Sequence, residues 1–121
     1  MSRGLKIVAD CSIDDCVGRD WSCIALPGGM PGAEHLRDSA PLLKLLSAQA
    51  SAGSLTAAVC ASPAVVLASH GLCPPRATCY PAPQFKGALP SDWMDSKAIL
   101  DGAVITSQGA MRDALPHSPW C

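Results

Sequence analysis

The sequence lacks the features that mark nucleic-acid-binding and membrane proteins. It has no long run of like charge, and nine Lys and Arg against ten Asp and Glu give a net charge of −1. This balance provides no electrostatic footprint for nucleic acid or for a membrane surface. The longest strongly apolar stretch, residues 55–68, contains Pro63 and is too short to span a bilayer. No signal peptide is apparent. We therefore expect a cytoplasmic protein with neither nucleic-acid nor membrane partners.

The sequence also lacks the cysteine spacings of a metal site or a disulfide framework. An odd number of cysteines without a secretory signal argues against structural disulfides. No CxxC pair occurs and Cys11, Cys16 and Cys23 have no tight partner, so we expect no zinc, and we predict no cofactor. Most of the cysteines are expected to act as small hydrophobic side chains. The seven are Cys11, Cys16, Cys23, Cys60, Cys73, Cys79 and Cys121.

What is present predicts one α/β domain. The chain has 121 residues, of which 49% are hydrophobic and 16% charged, enough to bury one core. Short strands alternate with helices, which is typical of a mostly parallel sheet. Because strand 23–26 shows almost no polar alternation, we expect it to be buried on both faces. The predicted strands are 5–9, 23–26 and 55–59, and a hairpin turns at Asp101-Gly102.

Two predicted helices lie between and after these strands. The first begins at Asp38-Ser39-Ala40-Pro41, where a capping side chain precedes a proline in the first turn, and it ends at Gly53. The second is a short apolar helix over 64–69 that Gly71 ends. The apolar stripe of the first helix comprises Leu42, Leu43, Leu45, Leu46 and Ala50.

Cys60 is the one cysteine whose surroundings suggest chemistry. It follows an apolar strand, has small neighbours and precedes a helix with Pro63 in its first turn, which is the pattern of a nucleophile elbow. The helix N-terminus would favour the thiolate form. The N–H of Ala61, with an N–H from the Gly28-Gly29 turn, would form an oxyanion hole at the carboxyl ends of the strands. The alternative is a buried cysteine chosen for its small volume.

Two motifs of this chain are distinctive: residues 24–33 read IALPGGMPGA and residues 57–64 read AAVCASPA. The first resembles the DJ-1/PfpI superfamily in the form found in its plant and bacterial LPGGMPGA-type members, and the second resembles the cysteine elbow of that superfamily. Further matches occur in the order of the family over residues 2–109. They are Ser2-Arg3, LRDS at 36–39, HGL at 70–72, ATC at 77–79, Asp101-Gly102 and TSQG at 106–109.

The resemblance implies a flavodoxin-like, three-layer α/β sandwich that forms homodimers. Members are described as glutathione-independent glyoxalases, protein deglycases and redox-sensitive chaperones. The implied substrate is a small 2-oxoaldehyde or a glycated protein. Carried over to this chain, the resemblance makes Cys60 the nucleophile and gives the oxyanion-hole amides to Gly29 and Ala61. It places Arg3, Gly28 and Tyr80 at the substrate or anion site.

The sequence departs from the family pattern in three places. Members begin with a further strand and helix, whose glutamate bonds the cysteine, whereas the one glutamate here is Glu34 in the loop after the glycine turn. Tyr80 occupies the position where many members have histidine. Residues 110–121 replace the last family helix, and Pro116 forbids a helix there. We therefore expect a partial domain over 2–109, a divergent tail over 110–121, and apolar sheet surface left exposed.

These departures leave several functions open. The first is a cysteine-dependent enzyme of reactive carbonyls and oxidative stress. The second is a non-enzymatic redox sensor or chaperone, and the third is an inactive fragment. Peptidase or amidotransferase activity is disfavoured because Tyr80 is a poor base near neutral pH. His70 is expected to complement a helix end, His35 and His117 to be exposed, and Cys11 and Cys16 to lie in an acidic loop that disfavours their thiolates.

Overall fold

Four short strands form one sheet at the centre of the structure, a computed structural model that describes residues 6–109. The strands are β1 (Cys23–Leu26), β2 (Leu55–Val59), β3 (Ala98–Asp101) and β4 (Val104–Ser107). Their order is β1-β2-β4-β3; β1, β2 and β4 are parallel and β3 is antiparallel to β4. The predicted α/β class, with a mostly parallel flavodoxin-like sheet, is confirmed.

Helical segments fill the connections between the strands. They are a 3-10 turn (Ile13–Cys16), α1 (Gly32–Arg37), α2 (Ala40–Ala52), a π-helical turn (Pro63–Leu67) that continues as a 3-10 turn (Ala68–His70), and α3 (Pro83–Lys86). The helix predicted over 64–69 is thus confirmed in position but wound differently, and it ends at Gly71. Within residues 6–109, no helix has the length and apolar character needed to cross a bilayer.

The predicted caps of α2 are both present. The Ser39 hydroxyl accepts a hydrogen bond from the Leu42 N–H at 3.4 Å, which satisfies one of the amide groups left over at a helix start. Gly53 ends the helix with φ 70°, a left-handed conformation that glycine adopts without steric cost. The hairpin turn between β3 and β4 likewise has Gly102 at φ 63°.

The buried face of α2 differs from the prediction at two positions. Leu42, Leu45 and Leu46 are buried as expected, but Leu43 is only half-buried, and Ala50 is exposed while Gln49 is buried in its place. The Gln49 amide donates to the carbonyl of Trp21 at 3.0 Å and to that of Leu55 at 2.8 Å. These bonds compensate for the loss of water, so a polar side chain can occupy a core position.

The main core lies on one face of the sheet. Leu26 and Ala58 project from the strands against Leu42 and Leu46 of α2, and Val66 and Leu67 complete this layer. The side chains on the opposite face include Cys23, Ala25, Leu55 and Leu100, which are exposed. The prediction that β1 is buried on both faces is therefore wrong, and Cys23 is not in a buried strand. A run of apolar residues indicates that a strand can be buried on both faces, but the described helices cover only one face of this sheet.

The strand predicted over 5–9 is also wrong for the residues that the structure describes. Residues 6–9 form no strand, and the side chains of Ile7 and Val8 are 67% and 95% exposed. Within residues 6–109 the sheet ends at β1, and no backbone hydrogen bond joins residues 6–9 to that edge. Arg3, His117, Cys121 and the predicted tail over 110–121 lie outside the described residues.

Candidate active site

Cys60 lies in a strained turn directly after β2. Its φ is 63°, and it is the one non-glycine residue with positive φ in the described part of the chain. This left-handed conformation costs about 1–2 kcal/mol for a residue with a Cβ. Two hydrogen bonds hold it: the Cys60 N–H donates to the Ser107 carbonyl at 2.9 Å, and the Cys60 carbonyl accepts from the Tyr80 N–H at 2.7 Å. The elbow predicted from the sequence is therefore present.

Two glycines pack against the Cys60 side chain. A Cβ on Gly28 would lie 2.5 Å from the Cys60 Cβ and 3.3 Å from its Sγ, and a Cβ on Gly109 would lie 3.1 Å from the same Cβ. Gly29 differs from Gly28, because its φ of 89° demands left-handed backbone. Gly28 therefore allows the glycine turn to pack closely against Cys60, and Gly29 allows the backbone to turn with a positive φ. Sequence reasoning placed both functions in this turn without separating them, and it assigned no contact with Cys60 to Gly109.

Ser62 ties the glycine turn to the elbow, and sequence reasoning missed it. Its side chain is fully buried, and its hydroxyl donates a hydrogen bond to the Pro27 carbonyl. A small polar residue between Ala61 and Pro63 in an apolar segment was the available signal. Because this bond joins the loop after β1 to the loop after β2, it fixes the position of Gly28 relative to Cys60.

Gly29 and Ala61, the residues predicted to supply an oxyanion hole, use their carbonyls but not their amides in the hydrogen bonds of the described chain. The Gly29 carbonyl accepts from the Ala33 N–H at 2.9 Å, and the Ala61 carbonyl accepts from the Val65 N–H at 2.9 Å. The amides of Gly29 and Ala61, in contrast, donate to no backbone or side-chain group among residues 6–109. Both residues belong to the loops that follow β1 and β2, and their part in an oxyanion hole stays a prediction.

Residues 79–93 form a segment that packs next to the elbow. The Tyr80 backbone N–H donates to the Cys60 carbonyl; the residue is 39% exposed, and its ring packs edge-on against Phe85 with the ring centres 6.4 Å apart. The Trp93 indole N–H donates to the Cys79 carbonyl at 3.1 Å, and the Lys86 ammonium lies 4.1 Å from the Trp93 ring centre. The Tyr80 backbone thus lies beside the predicted nucleophile, and its ring packs against Phe85.

Cys73 and Cys79 are chemically unlike an active thiol. Burial raises the pKa of each thiol to about 11, and the charge of neighbouring Cys60 adds to the effect at Cys79. Both side chains belong to a small apolar cluster with Ala64 and Leu89. Near neutral pH they are protonated, which agrees with the space-filling part expected for them.

Glu34 and His70 take part in a separate cluster at the end of α1. The Arg37 guanidinium lies 3.9 Å from the Glu34 carboxylate and donates to Asp38 at 3.0 Å. The hydrogen bond from Arg37 lowers the pKa of the Asp38 carboxyl. His70 Nε2 lies 2.7 Å from the Arg37 carbonyl, so His70 does complement a helix end, that of α1. His35 is exposed as expected.

Two further predictions concern ligands. No group of three or more His, Cys, Asp or Glu side chains in the part of the chain that the structure describes could hold a metal ion. Arg3, the predicted anion-binding residue, lies outside residues 6–109. Of the predicted site residues, Gly28, Ala61 and the Tyr80 backbone adjoin Cys60, and Gly29 follows Gly28 in the same turn.

Comparison with known proteins agrees with this geometry. Residues 1–115 match the DJ-1/PfpI family. The chain is 38% identical over 108 residues to Protein DJ-1 homolog B of Arabidopsis thaliana, covering 88% of this chain and 25% of that protein. It is 33% identical over 109 residues to the glutathione-independent glyoxalase DJR-1.2 of Caenorhabditis elegans, covering 89% of this chain and 58% of that protein.

A solved structure shows the same fold. The structure of oxidised Toxoplasma gondii DJ-1 superposes with a TM-score of 0.82 at 42% identity, covering 90% of this chain and 59% of that one. The chain therefore spans about a quarter of the Arabidopsis protein and less than three fifths of the other two.

Proposed function

Because the chain belongs to the DJ-1/PfpI family, we propose that it acts on reactive carbonyls through Cys60. The substrate class is a small 2-oxoaldehyde or the corresponding adduct on a glycated protein. The observation that carries the proposal is the strained elbow, which holds Cys60 against Gly28 of the glycine turn, where the amides of Gly29 and Ala61 donate to no group among residues 6–109. The printed name of the C. elegans relative, a glutathione-independent glyoxalase, supports the same reaction class.

The reaction begins with nucleophilic addition. The Cys60 sulfur attacks the aldehyde carbon of methylglyoxal, and its carbonyl electrons move onto oxygen to give a hemithioacetal. The amides of Gly29 and Ala61 donate hydrogen bonds to this developing oxyanion. Gly28 has no side chain, so the aldehyde can approach Cys60 from the glycine turn, and Arg3 and Tyr80 are proposed to orient the rest of the substrate.

Proton transfer and hydrolysis complete the reaction. A base removes the proton from the former aldehyde carbon and returns a proton to the adjacent carbon, which converts the hemithioacetal into a thioester of a 2-hydroxy acid. Water then attacks the thioester carbonyl and releases lactate and the Cys60 thiol. We propose that these steps take place in a homodimer, as the family resemblance implies, and in the cytoplasm.

Lactate formation tests this proposal. The purified chain is incubated with methylglyoxal and lactate is measured, with the variants Cys60→Ser and Cys23→Ser alongside. Cys23 is the matched control because it is an exposed cysteine on β1. We expect lactate from the wild type and from Cys23→Ser, and a loss of about 100-fold or more in Cys60→Ser. Lactate formation that Cys60→Ser leaves unchanged would contradict the proposal.

A redox sensor is the second candidate, and one observation favours it. Among residues 6–109, no carboxylate or imidazole makes a hydrogen bond to the Cys60 side chain, and Tyr80 occupies the expected histidine position. Peroxide would convert the Cys60 thiol to sulfenic acid, with one oxygen gained and one water released. A sensor would form no lactate, but one equivalent of peroxide would shift the thermal unfolding midpoint of the wild type and leave that of Cys60→Ser unchanged.

A further inference from the structure

Cys11 and Cys16 form a close pair that no part of the proposed function uses. Their Sγ atoms lie 3.7 Å apart, although the sequence spacing gave no indication of a pair. The 3-10 turn Ile13–Cys16 brings them together, and the Asp15 N–H closes it by donating to the Ser12 carbonyl at 3.2 Å. A disulfide has a sulfur–sulfur distance of about 2.05 Å, so the two sulfur atoms must approach by a further ~1.7 Å in this surface turn.

The surroundings of the pair suit thiol–disulfide exchange. Cys11 is exposed and Cys16 is partly buried, so a reagent in solution meets Cys11 first. Cys11 and Cys16 border an open groove of about 420 Å³ together with Trp21, whose indole N–H donates to the Cys16 carbonyl at 3.1 Å. The groove has room for a small disulfide, and the bond from Trp21 holds Cys16 in place during the exchange.

The charges near Cys16 assign an order to the two thiols. The hydrogen bond with Cys11 raises the pKa of Cys16; the Asp15 carboxylate also raises it, and the Arg19 guanidinium opposes the shift. The raised pKa disfavours Cys16 as the first attacking thiol, which agrees with the greater exposure of Cys11. This follows the usual division of a reactive dithiol into an attacking and a resolving cysteine.

We propose that Cys11 and Cys16 form a second redox site, which a low-molecular-mass disulfide such as oxidised glutathione converts to an intramolecular disulfide. The Cys11 thiolate attacks one sulfur of the external disulfide, giving a mixed disulfide and one released thiolate. The Cys16 thiol then loses its proton to solvent and attacks the Cys11 sulfur, which releases the second thiolate. The protein dithiol loses two electrons, and the external disulfide gains them.

Trypsin separates this site from the other cysteines. Cleavage after Lys6 and Arg19 leaves Cys11 and Cys16 in one peptide, residues 7–19, with no other cysteine. The folded chain is equilibrated in glutathione buffers of increasing oxidised fraction, quenched with acid, alkylated and digested. We expect peptide 7–19 to lose both alkyl groups together and to lose two hydrogens. Retention of both alkyl groups, or glutathione adducts in place of the internal disulfide, would overturn the proposal.

Variants test the assigned order. Cys16→Ser should accumulate glutathione on Cys11, because no resolving thiol remains, whereas Cys11→Ser should carry far less on Cys16. Cys23→Ser is the matched control, since Cys23 borders the same groove and should leave the 7–19 disulfide unchanged. Unfolding the chain in urea should lower the disulfide fraction at a given glutathione ratio. An equal fraction in the folded and unfolded chain would show that the structure does not favour the pair.

The Cys60→Ser variant separates the test of this site from the test of the proposed function. The variant should abolish lactate formation and leave the 7–19 disulfide intact. Loss of the 7–19 disulfide in Cys60→Ser would instead mean that oxidation reaches the pair through Cys60.

Discussion

Gly28→Ala should destabilise the protein because of Cys60. The new Cβ would lie 2.5 Å from the Cys60 Cβ, whereas unbonded carbons prefer about 3.5–4.0 Å, so one of the two loops must move by about 1 Å. Hydrogen bonds restrain both loops: the Cys60 backbone is bonded to Ser107 and Tyr80, and the Ser62 hydroxyl is bonded to the Pro27 carbonyl of the glycine turn. Overpacking of this kind costs about 1–3 kcal/mol.

A double-mutant cycle with Cys60→Gly isolates the contact. Cys60→Gly removes the Cβ and the cost of the left-handed φ, about 1–2 kcal/mol, and offsets it in part by the greater flexibility of glycine, about 0.5–1 kcal/mol. In that background both Cys60 side-chain contacts of the new Cβ are gone, and the contact with the Val59 carbonyl, at 3.0 Å, remains. We therefore expect Gly28→Ala to cost less in the Cys60→Gly chain than in the wild type, with a coupling of about 1 kcal/mol or more.

Urea unfolding measures the four corners of the cycle. Gly32→Ala is the control, because a Cβ on Gly32 would meet no atom within 4 Å and the residue lies at the first position of α1. It should change the free energy of unfolding by less than about 1 kcal/mol, in the stabilising direction. An equal cost of Gly28→Ala in both backgrounds would refute the close packing of the glycine turn on Cys60.

The core and the exposed sheet face lead to three further predictions. Gln49→Leu should cost about 1–3 kcal/mol in urea unfolding because it strands two carbonyls, whereas Gln84→Leu on the surface should cost little. Burial raises the pKa of the Cys79 thiol from 9.0 to about 11, so the stability contributed by this thiol is complete below pH 9 and is lost as the pH rises to 11. Between pH 9 and 11 the free energy of unfolding should therefore fall more for the wild type than for Cys79→Ala. Parallel curves for the two proteins would contradict this. Leu100→Thr on the exposed face should raise solubility, measured by centrifugation, with stability unchanged, whereas Ile99→Thr on the covered face should lower the unfolding midpoint.

The elbow could be predicted from sequence because its requirements are local. A strand, a cysteine among small residues and a proline in the next helical turn all occur within residues 55–64. The contact of Cys60 with Gly28 was foreseeable only in outline, since the distance between two loops depends on how β1 and β2 pair. Ser62 was missed because its bond to Pro27 crosses the same gap.

Other features depended on what surrounds a segment rather than on its residues. Apolar composition predicted burial of β1 on both faces, but Cys23 and Ala25 are exposed, because the described helices cover only the other face. The pairing of Cys11 with Cys16 was missed because the turn that joins them follows no cysteine spacing rule. The Gln49 core position was missed for a related reason: its partners come from the chain before β1 and from β2.

Cys60 is the chemically active thiol in both proposed functions, so its reactivity is the central claim. The most direct measurement is peptide mapping after treatment of the folded, reduced chain with less than one equivalent of hydrogen peroxide at neutral pH. We expect oxygen to be gained at Cys60 before any of Cys23, Cys73 and Cys79. Oxidation of exposed Cys23 ahead of Cys60 would contradict the claim.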